Sequence, residues 1–370
     1  MNAPSLSLSR RLRVSPFESR SLPSASRVSV YNHVVLPVGY HSLEEDYWHL
    51  REHVQIWDVA CQVQVEIKGP DALRLVEWMT PRDVSACEPG QCIYAPLLDR
   101  NAGIVNDPIV LCHANDHYWL SLSDSDVLLW AKGIAESGAW DVEVVDPGVF
   151  PLSVQGPKAE DLLARVLGES IRTLKFFRFV SSEIHGIPVK IARTGWSGQG
   201  GFEVYLMNPE QGEALWDLIT EAGDGLALRP GAPNLIDRIE TGLLSWGNDM
   251  TLENNPFEAG LDRFFKMGKQ ADYLAREALE SIAEAGPSRK LVRLAAGGEP
   301  VDPPRDTWPV LRASGERIGE VTSMVWSPRL EQNVGFAYVP IDLSHPGAQV
   351  GFSAPGGLRS ATVCGADWAA

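Results

Sequence analysis

The sequence contains no hydrophobic run that approaches the roughly 20 residues of a membrane-spanning helix. Basic residues are also few, since 32 Lys and Arg stand against 48 Asp and Glu and give a net charge of −16. This excess of acid opposes non-specific binding to nucleic acid or to an anionic membrane, because both carry the same sign of charge. We therefore expect neither as a partner. A small-molecule substrate and assembly into a homo-oligomer both stay open.

Cysteine is scarce as well. Five cysteines are spread along the chain without any C-x-x-C spacing: Cys61, Cys87, Cys92, Cys112 and Cys364. An odd number without close pairs is typical of free thiols in a reducing compartment, rather than of a disulfide framework or a zinc site. The first 27 residues are rich in Ser and Arg, have no acid before Glu18 and lack the apolar region of a secretory signal. We expect a flexible N-terminal arm over residues 1–27 and a cytoplasmic protein.

The pattern of apolar residues predicts an α+β fold. A helix is expected from Ser42 to His53, because Ser42 is a good N-cap and Glu45 follows three residues later. A strand-like segment, a Gly-Pro pair and a helical segment then follow each other twice, as VEIKGPDALRLVEWM and PLSVQGPKAEDLLARVLG. Two such units favour layers of strands and helices over a doubly wound sheet.

The last part of the chain has a different pattern. From Arg289 onward, short alternating segments (KLVRLAA, RIGEVTSMVW, NVGFAYV and ATVCGADW) are separated by Gly and Pro. Such spacing is typical of a small β-barrel or sandwich. The sequence therefore predicts three parts: the arm over 1–27, a larger region of two α+β subdomains over 28–285, and a C-terminal β-barrel domain over 286–370.

The glycine-rich stretch RTGWSGQGGFEVYL, residues 193–206, raises the question of a phosphate-binding loop. Such a loop needs a strand before the glycines and a helix after them. Here IPVKIA precedes the glycines and FEVYL follows them, and both alternate like strands. Strand, glycine turn and strand predict a β-hairpin, so the glycines require another explanation.

Two catalytic patterns occur only in part. HLREH, residues 49–53, matches the H-x-x-E-H pattern of inverted zinc peptidases, but no third carboxylate ligand is evident downstream, so we expect no metal. The segment around Ser197 lacks the strand-to-helix turn of a nucleophile elbow.

Asn106, Asp107 and Pro108 interrupt an apolar, strand-like run. They form either a simple turn or a bulge that directs side chains into a site, and both interpretations are open. In the glycine hairpin, Trp196 is placed to cover a flat ligand that approaches the backbone, and Glu203 is placed to accept hydrogen bonds from its edge. A solvated carboxylate at Glu203 is an equally good interpretation of the pattern.

Several motifs, taken together and in order, resemble the folate-dependent aminomethyltransferases typified by the T protein of the glycine cleavage system. RTGWSGQGGFEVYL resembles the family signature R-T-G-Y-T-G-E-x-G-x-E. Four further segments match other family motifs, one before this stretch and three after it: GIVNDPIV, LIDRIETGLLSWGNDM, NPFEAGLDRF and IGEVTSMVWSP. The resemblance implies a three-part fold around a central tetrahydrofolate site, followed by a barrel domain.

The resemblance also assigns residues. It implies that the hairpin holds a pterin, whose row of N–H donors suits the carboxylate of Glu203. Tyr94 matches the folate-contacting Tyr, and Arg238 matches the site Arg, a permanent cation suited to a ligand carboxylate. The implied cofactor-binding residues are Tyr94, Ser123, Phe177, Trp196, Glu203 and Arg238.

Departures from the T protein concern the reacting centre. Asn106 stands where the T protein has the first of two Asp residues, Ser123 stands where it typically has Asn, and VYNHVVLP replaces its G-W-x-M-P. These changes resemble the branch of the family that demethylates dimethylsulfoniopropionate. A sulfonium methyl is already activated, so the site must mainly position the reactants and exclude water. Aromatic faces suit a sulfonium cation, which implies substrate contacts for Tyr31, Trp196 and Trp246.

The expected function is therefore a tetrahydrofolate-dependent methyltransferase, with Asn106 and Asp107 at its catalytic centre. It would convert dimethylsulfoniopropionate to 3-methylmercaptopropionate and form 5-methyltetrahydrofolate. Two alternatives stay open: an aminomethyltransferase or demethylase with another N-methyl or onium donor, and a folate-binding protein without methyl transfer.

Overall fold

The computed structural model describes residues 9–368, which form two compact units. Among the described residues, the first unit runs up to Val65 and includes 146–234, and the second includes 66–145 and the residues from Leu235 onward. No helix within residues 9–368 is both long and apolar enough to cross a membrane. All five cysteines are buried and free.

The first unit is built on a six-stranded mixed sheet. Its strands are, in spatial order, Phe179–Ile184, Ile187–Ala192, Gly201–Leu206, Phe150–Gln155, Val54–Asp58 and Leu228–Gly231. Neighbouring strands are antiparallel except for the last pair, which is parallel. Helices Leu43–Glu52, Ala159–Leu167 and Gly212–Ala222 belong to this unit, with a two-stranded sheet of Arg27–Tyr31 and Val34–Gly39. Short helical turns occupy Glu18–Ser21, Glu169–Thr173 and Pro209–Gln211.

The two faces of this sheet differ in chemistry. Because side chains alternate along a strand, one set of residues packs with the helices Ala159–Leu167 and Gly212–Ala222 into an apolar core. On the strand Gly201–Leu206 that set is Phe202, Val204 and Leu206. The alternate residues point to the opposite face, which is buried yet carries polar side chains: Gln55, Ser153, Gln155 and Glu203.

The second unit begins with a five-stranded sheet. Its spatial order is Glu143–Val145, Gln64–Lys68, His117–Ser121, Ile109–Ala114 and Gln91–Tyr94. Leu97–Leu98 and Ile104–Asn106 form a small antiparallel ribbon. The helices are Ala72–Met79, Val127–Ser137, Leu235–Thr241, Pro256–Ala259 and Arg276–Ala285, with 3-10 turns at Asp262–Phe264 and Ile341–Leu343.

The C-terminal strands close into a six-stranded barrel. The order around it is Arg289–Ala296, Gln332–Pro340, Arg317–Ser327, Trp308–Leu311, Gln349–Ala354 and Gly357–Cys364. Its interior is filled by apolar side chains such as Leu294, Val321 and Phe352, all of them fully buried. The predicted α+β class and the C-terminal barrel are therefore confirmed.

Local signals in the sequence correspond to the observed elements. Ser42 caps the helix Leu43–Glu52, since its side chain accepts a hydrogen bond from the backbone N–H of Glu45 at 3.1 Å. Both strand-Gly-Pro-helix segments have the predicted order. The helix Arg276–Ala285 follows a short turn at residues 274–275.

The N-terminal arm is not flexible throughout, which corrects the prediction for part of it. Its first eight residues lie outside the described residues. Phe17, however, is fully buried in the apolar core of the first unit. Ser15 and Ser21 donate hydrogen bonds of 2.7–2.8 Å to the buried carboxylate of Asp58. This part of the arm is thus attached by the buried side chain of Phe17 and by the hydroxyls of Ser15 and Ser21. The Ser-rich composition alone did not indicate these contacts.

We predict that Phe17→Ala lowers the free energy of unfolding by about 3–5 kcal/mol, because it leaves a cavity in a packed core. Urea denaturation followed by tryptophan fluorescence measures the change. Val14→Ala is the matched control, since Val14 is 71% exposed and its truncation should alter stability by less than about 0.5 kcal/mol. Equal stability of the two variants would contradict the anchoring role of Phe17.

Candidate functional site

The glycine-rich segment is a hairpin, as predicted. Ile187–Ala192 and Gly201–Leu206 pair in antiparallel register, with Ala192 opposite Glu203. Gly201 has φ of +151°, and a Cβ there would lie 2.3 Å from the carbonyl oxygen of Val154, so only glycine fits. No helix follows the glycines, and the phosphate-loop interpretation therefore does not apply.

Gln155, on the neighbouring strand, holds this loop by hydrogen bonds. Its Oε1 accepts a hydrogen bond from the Ser197 hydroxyl at 2.7 Å, and its Nε2 donates to Ser153 Oγ at 2.9 Å and to the carbonyl of Thr194 at 3.3 Å. Gln155 and Ser197 are both 1% exposed. The sequence analysis missed Gln155, whose role depends on strand pairing that brings it beside the loop.

Glu203 lies at the polar face, 6% exposed, on the strand that leaves the loop. Its Oε2 accepts hydrogen bonds from the Thr194 hydroxyl at 2.5 Å and from the Tyr205 hydroxyl at 3.2 Å. Within residues 9–368, Oε1 accepts no hydrogen bond. Burial raises the pKa of Glu203, and the two hydroxyl donors oppose that rise. The carboxylate thus keeps one oxygen for a further donor and is not the solvated side chain that the pattern also allowed.

Three aromatic residues of the first unit were predicted to contact ligands. Trp196 is partly buried within the glycine loop. Phe177 packs on Phe176 with ring centroids 4.6 Å apart, and its backbone N–H donates to the carbonyl of Arg193 at 3.1 Å, next to Thr194. Tyr31 belongs to the two-stranded sheet and packs against the cluster of Val34, Leu36 and Cys61. The structure therefore groups Phe177 and Trp196 around the hairpin, and it places Tyr31 in a different sheet.

In the second unit, a second polar group forms where the chain leaves one strand and enters another. The ribbon strand Ile104–Asn106 ends at Asn106, and Ile109 begins a strand of the five-stranded sheet. Pro108 cannot donate a ladder hydrogen bond, so it suits this break. Asp107 Oδ1 accepts a hydrogen bond from Ser123 Oγ at 2.6 Å, and its Oδ2 accepts one from the Tyr94 hydroxyl at 3.0 Å.

Asn106 is fully buried beside this carboxylate and uses both ends of its amide. Its Oδ1 accepts the backbone N–H of Ser123 at 3.1 Å, and its Nδ2 donates to Ser125 Oγ at 2.7 Å. The structure therefore brings four predicted residues together: Tyr94, Asn106, Asp107 and Ser123. Ser125 completes the group and was missed, although it lies in the segment LSLSDSD that departs from the T protein.

Burial raises the pKa of Asp107 to about 6, while the donors Ser123 and Tyr94 oppose the rise. Burial also raises the pKa of Tyr94, and the neighbouring Asp107 charge adds to that increase. Because the native pKa of Asp107 lies above its ordinary 3.8, the native protein binds more protons than the unfolded chain between about pH 4 and 6. The contribution of this carboxyl to stability therefore falls as pH rises through that window.

Arg238 lies in a buried network of the second unit. Its Nη1 donates to Asp249 Oδ2 at 2.7 Å and its Nη2 to Ser323 Oγ at 2.6 Å, with side chains only 4% and 0% exposed for Arg238 and Asp249. The carboxylate partner that the structure provides is thus Asp249, which the sequence analysis did not single out. Contact of Arg238 with a folate stays a prediction.

Trp246 lies in the segment that follows Arg238. Its Nε1 donates to the carbonyl of Ile104 at 2.8 Å, on the strand that ends at Asn106.

The histidines of HLREH have protein partners. His49 Nε2 lies 2.9 Å from the carbonyl of Ala227, and His53 Nδ1 lies 2.9 Å from Lys158 Nζ. Burial lowers the pKa of His49 to about 4. No group of three metal-ligating side chains occurs in the part of the chain that the structure describes.

Comparison with known proteins identifies the family of the chain. Residues 24–269 match the family described as the GCVT N-terminal domain, and residues 289–367 match the glycine cleavage T-protein C-terminal barrel domain. The chain belongs to the glycine cleavage T-protein family.

Within this family, the chain is 46% identical over 363 residues to the dimethylsulfoniopropionate demethylase DmdA of Ruegeria pomeroyi, covering 97% of this chain and 98% of that protein. It is 32% identical to an aminomethyltransferase of Symbiobacterium thermophilum, covering 93% of each chain. The crystal structure of aminomethyltransferase T from Bartonella henselae superposes with a TM-score of 0.85, at 24% identity and over 96% of this chain and 98% of that one. That superposition supports the fold of the T-protein family.

We predict that Ser123→Ala raises the pKa of Asp107 above its value of about 6, because it removes a hydrogen bond that stabilises the carboxylate. Carbon-detected NMR titration of protein labelled at aspartate carboxyls measures the value. Ser360→Ala, at an exposed position of the barrel, is the control and should leave it unchanged. A lower or unaltered pKa in Ser123→Ala would rule out this donor as the cause.

Proposed function

We propose that this protein is a tetrahydrofolate-dependent methyltransferase that demethylates dimethylsulfoniopropionate to 3-methylmercaptopropionate. The observation that carries the proposal is the buried amide of Asn106 beside the hydrogen-bonded carboxylate of Asp107. A methylene transfer gains from an acid at both positions, whereas a sulfonium methyl needs no strong base. The 46% identity to a named dimethylsulfoniopropionate demethylase over nearly the whole chain supports the same choice.

The residues of the hairpin fit a pterin. Glu203 has one carboxylate oxygen without a hydrogen bond in the described residues, and a pterin edge offers adjacent N–H donors to such an oxygen. Gly200 has open space where a Cβ would stand, whereas Gly195 packs against Gln155, and Trp196 lies in the same loop. We assign Glu203 to the pterin edge and Trp196 to its face.

Tetrahydrofolate, when bound, supplies the nitrogen nucleophile that takes the methyl group. The residues of this chain orient the reactants and exclude water, which converts the transfer into an effectively unimolecular step. Asp107 is mostly ionised above pH 6 and provides an anion for the cationic donor. Asn106, fixed by Ser123 and Ser125, is neutral and adds no second negative charge. The departing thioether is neutral, so no general acid is required, and the proton displaced from the nitrogen is released as the remaining product.

Aromatic faces complete the assignment of the substrate. Trp246 is partly exposed and is oriented by its hydrogen bond to the strand of Asn106. A sulfonium over an aromatic ring is stabilised by about 0.5–2 kcal/mol. We assign Trp246, Tyr31 and Trp196 to the methyl donor.

We infer a cytoplasmic location, because all five cysteines are free thiols and the cytoplasm keeps thiols reduced.

The deciding experiment incubates the purified protein with tetrahydrofolate and a panel of donors, followed by mass spectrometry of the folate. Dimethylsulfoniopropionate should give 5-methyltetrahydrofolate. A methylene product from a glycine-derived donor would instead identify an aminomethyltransferase, and methyl transfer from an N-methyl donor alone would identify a different demethylase. Tight folate binding with no product from any donor would indicate a binding protein.

We predict that Glu203→Gln weakens tetrahydrofolate binding by about 2–3 kcal/mol, because it replaces an anionic acceptor by an amide whose NH₂ faces ligand donors. Isothermal titration calorimetry gives the dissociation constant. Glu183→Gln is the matched control, since Glu183 is exposed on the edge strand of the same sheet. If Glu203→Gln binds as tightly as the control, the pterin lies elsewhere.

A second prediction concerns Asn106→Asp. A carboxylate here would hold the cationic donor more tightly in its ground state, and such binding does not accelerate the chemical step. Turnover of dimethylsulfoniopropionate should be equal or lower, and glycine-cleavage activity should not arise. Asp107→Ala, by contrast, should lower turnover by at least about 100-fold, since it removes the anion that positions the donor. A large gain in turnover for Asn106→Asp would overturn the direct transfer.

A further inference from the structure

The strand Arg317–Ser327 of the barrel contains a β-bulge. Its pairing register with the neighbouring strand shifts between Val321 and Ser323, so Thr322 is the extra residue. Side chains of a regular strand alternate between its two faces. Here Val321 and Met324 both belong to the apolar interior of the barrel, with two residues between them instead of one. The bulge therefore allows Thr322 and Ser323, although consecutive, to serve the same side of the strand.

These two hydroxyls reach a single carboxylate oxygen. Thr322 Oγ1 donates to Asp249 Oδ1 at 2.7 Å, and Ser323 Oγ donates to the same atom at 2.6 Å. Asp249 is fully buried, and its backbone carbonyl accepts the hydroxyl of Tyr338, on the next barrel strand, at 2.9 Å. Three side chains of the barrel thus hold one residue that precedes the barrel in the chain.

Asp249 in turn closes a short loop, residues 245–250, which we call the Trp246 loop. Asp249 Oδ2 accepts the backbone N–H of Ser245 at 3.0 Å. The backbone N–H of Asp249 donates to the carbonyl of Ser245 at 2.8 Å. The base of the loop is therefore fixed to the barrel through Asp249, and Trp246 is the second residue of the loop.

The indole of Trp246 is held at its other end. Its Nε1 donates to the carbonyl of Ile104 at 2.8 Å, two residues before Asn106. Trp246 and Tyr94 both pack against the apolar cluster that contains Ile104. The ring thus lies between the base of its own loop and the strand that leads to Asn106 and Asp107, so a displacement of the base alters the position of the ring.

We propose that Asp249 and Thr322 are positioning residues for the methyl donor, because they set the position of the Trp246 ring. The proposal rests on the proposed function, in which this ring contacts the sulfonium. Attraction between a cation and an aromatic ring depends on the placement of the cation over the ring face, so a displaced ring should bind the donor more weakly. The barrel would then take part in donor binding without contacting the donor.

The test uses Thr322→Val, which removes one donor to Asp249 and keeps the shape of the side chain. Removal of the Asp249 carboxylate itself would leave the buried guanidinium of Arg238 without its anion and destabilise the whole protein.

We expect the KM of Thr322→Val for dimethylsulfoniopropionate to rise about fivefold, which corresponds to about 1 kcal/mol. The kcat should change by less than about twofold, because loss of a contact made equally in the ground and transition states affects KM alone. Calorimetry should give an unchanged affinity for tetrahydrofolate.

Two further variants are controls. Thr322→Ser keeps the hydroxyl and should retain the wild-type KM. Thr362→Val makes the same change on another barrel strand, where the hydroxyl contacts the side chain of Gln349, and should also retain the wild-type KM.

A second measurement reports on the ring itself and needs no activity. In protein labelled with 5-fluorotryptophan, the variant Trp246→Phe identifies the fluorine NMR resonance of Trp246 among those of the 12 tryptophans. This resonance should shift in Thr322→Val and coincide with that of the wild type in Thr322→Ser and Thr362→Val.

An unshifted Trp246 resonance in Thr322→Val would overturn the proposal, and so would a KM equal to that of Thr362→Val. A parallel loss of kcat and of tetrahydrofolate affinity would overturn it as well, because that pattern indicates general damage to the fold. If the wild-type protein transfers no methyl group from dimethylsulfoniopropionate, the proposed function itself fails, whereas the fluorine resonance still decides whether the barrel positions Trp246.

Discussion

In the first unit, the alternation of side chains along the strand Gly201–Leu206 determines which face of the sheet carries the polar residues. Phe202, Val204 and Leu206 enter the apolar core, so Glu203 and Tyr205 must point to the opposite face. A shift of one residue would bury the carboxylate among hydrocarbon and expose the core residues. The core therefore fixes which face Glu203 occupies, and hydrophobic burial sets the position of a polar group.

Once the carboxylate lies on that face, its surroundings determine its chemistry. Water is largely removed from Glu203, which favours the protonated form, and the hydroxyls of Thr194 and Tyr205 return part of the lost solvation. The glycine loop beside it is held by Gln155 from the neighbouring strand. A rigid backbone with a partly solvated anion is suited to a flat ligand that carries several donors.

In the second unit, burial and hydrogen-bond donors likewise determine the chemistry of Asp107. At a break between two strands, the consecutive side chains of Asn106 and Asp107 take different partners, which are hydroxyls of Ser125, Ser123 and Tyr94. Asn106 binds its neighbours through both ends of its amide, whereas Asp107 accepts from two hydroxyls and remains an anion above about pH 6. One neutral and one ionisable group thus stand side by side, which fits the proposed direct transfer from a cationic donor.

The sequence by itself determined the class of fold, the N-cap at Ser42, the hairpin around the glycines and the family, because these depend on periodicity, on local turn chemistry and on ordered motifs. It also identified Tyr94, Asn106, Asp107 and Ser123, which the structure joins by hydrogen bonds. Only the tertiary structure decided that Phe17 anchors the N-terminal arm, that Gln155 holds the glycine loop and that Asp249 is the partner of Arg238. Each of these contacts joins residues that pairing of strands or packing of a core brings together. Such partners are not encoded by spacing along the chain, since burial selects them only after the chain has folded.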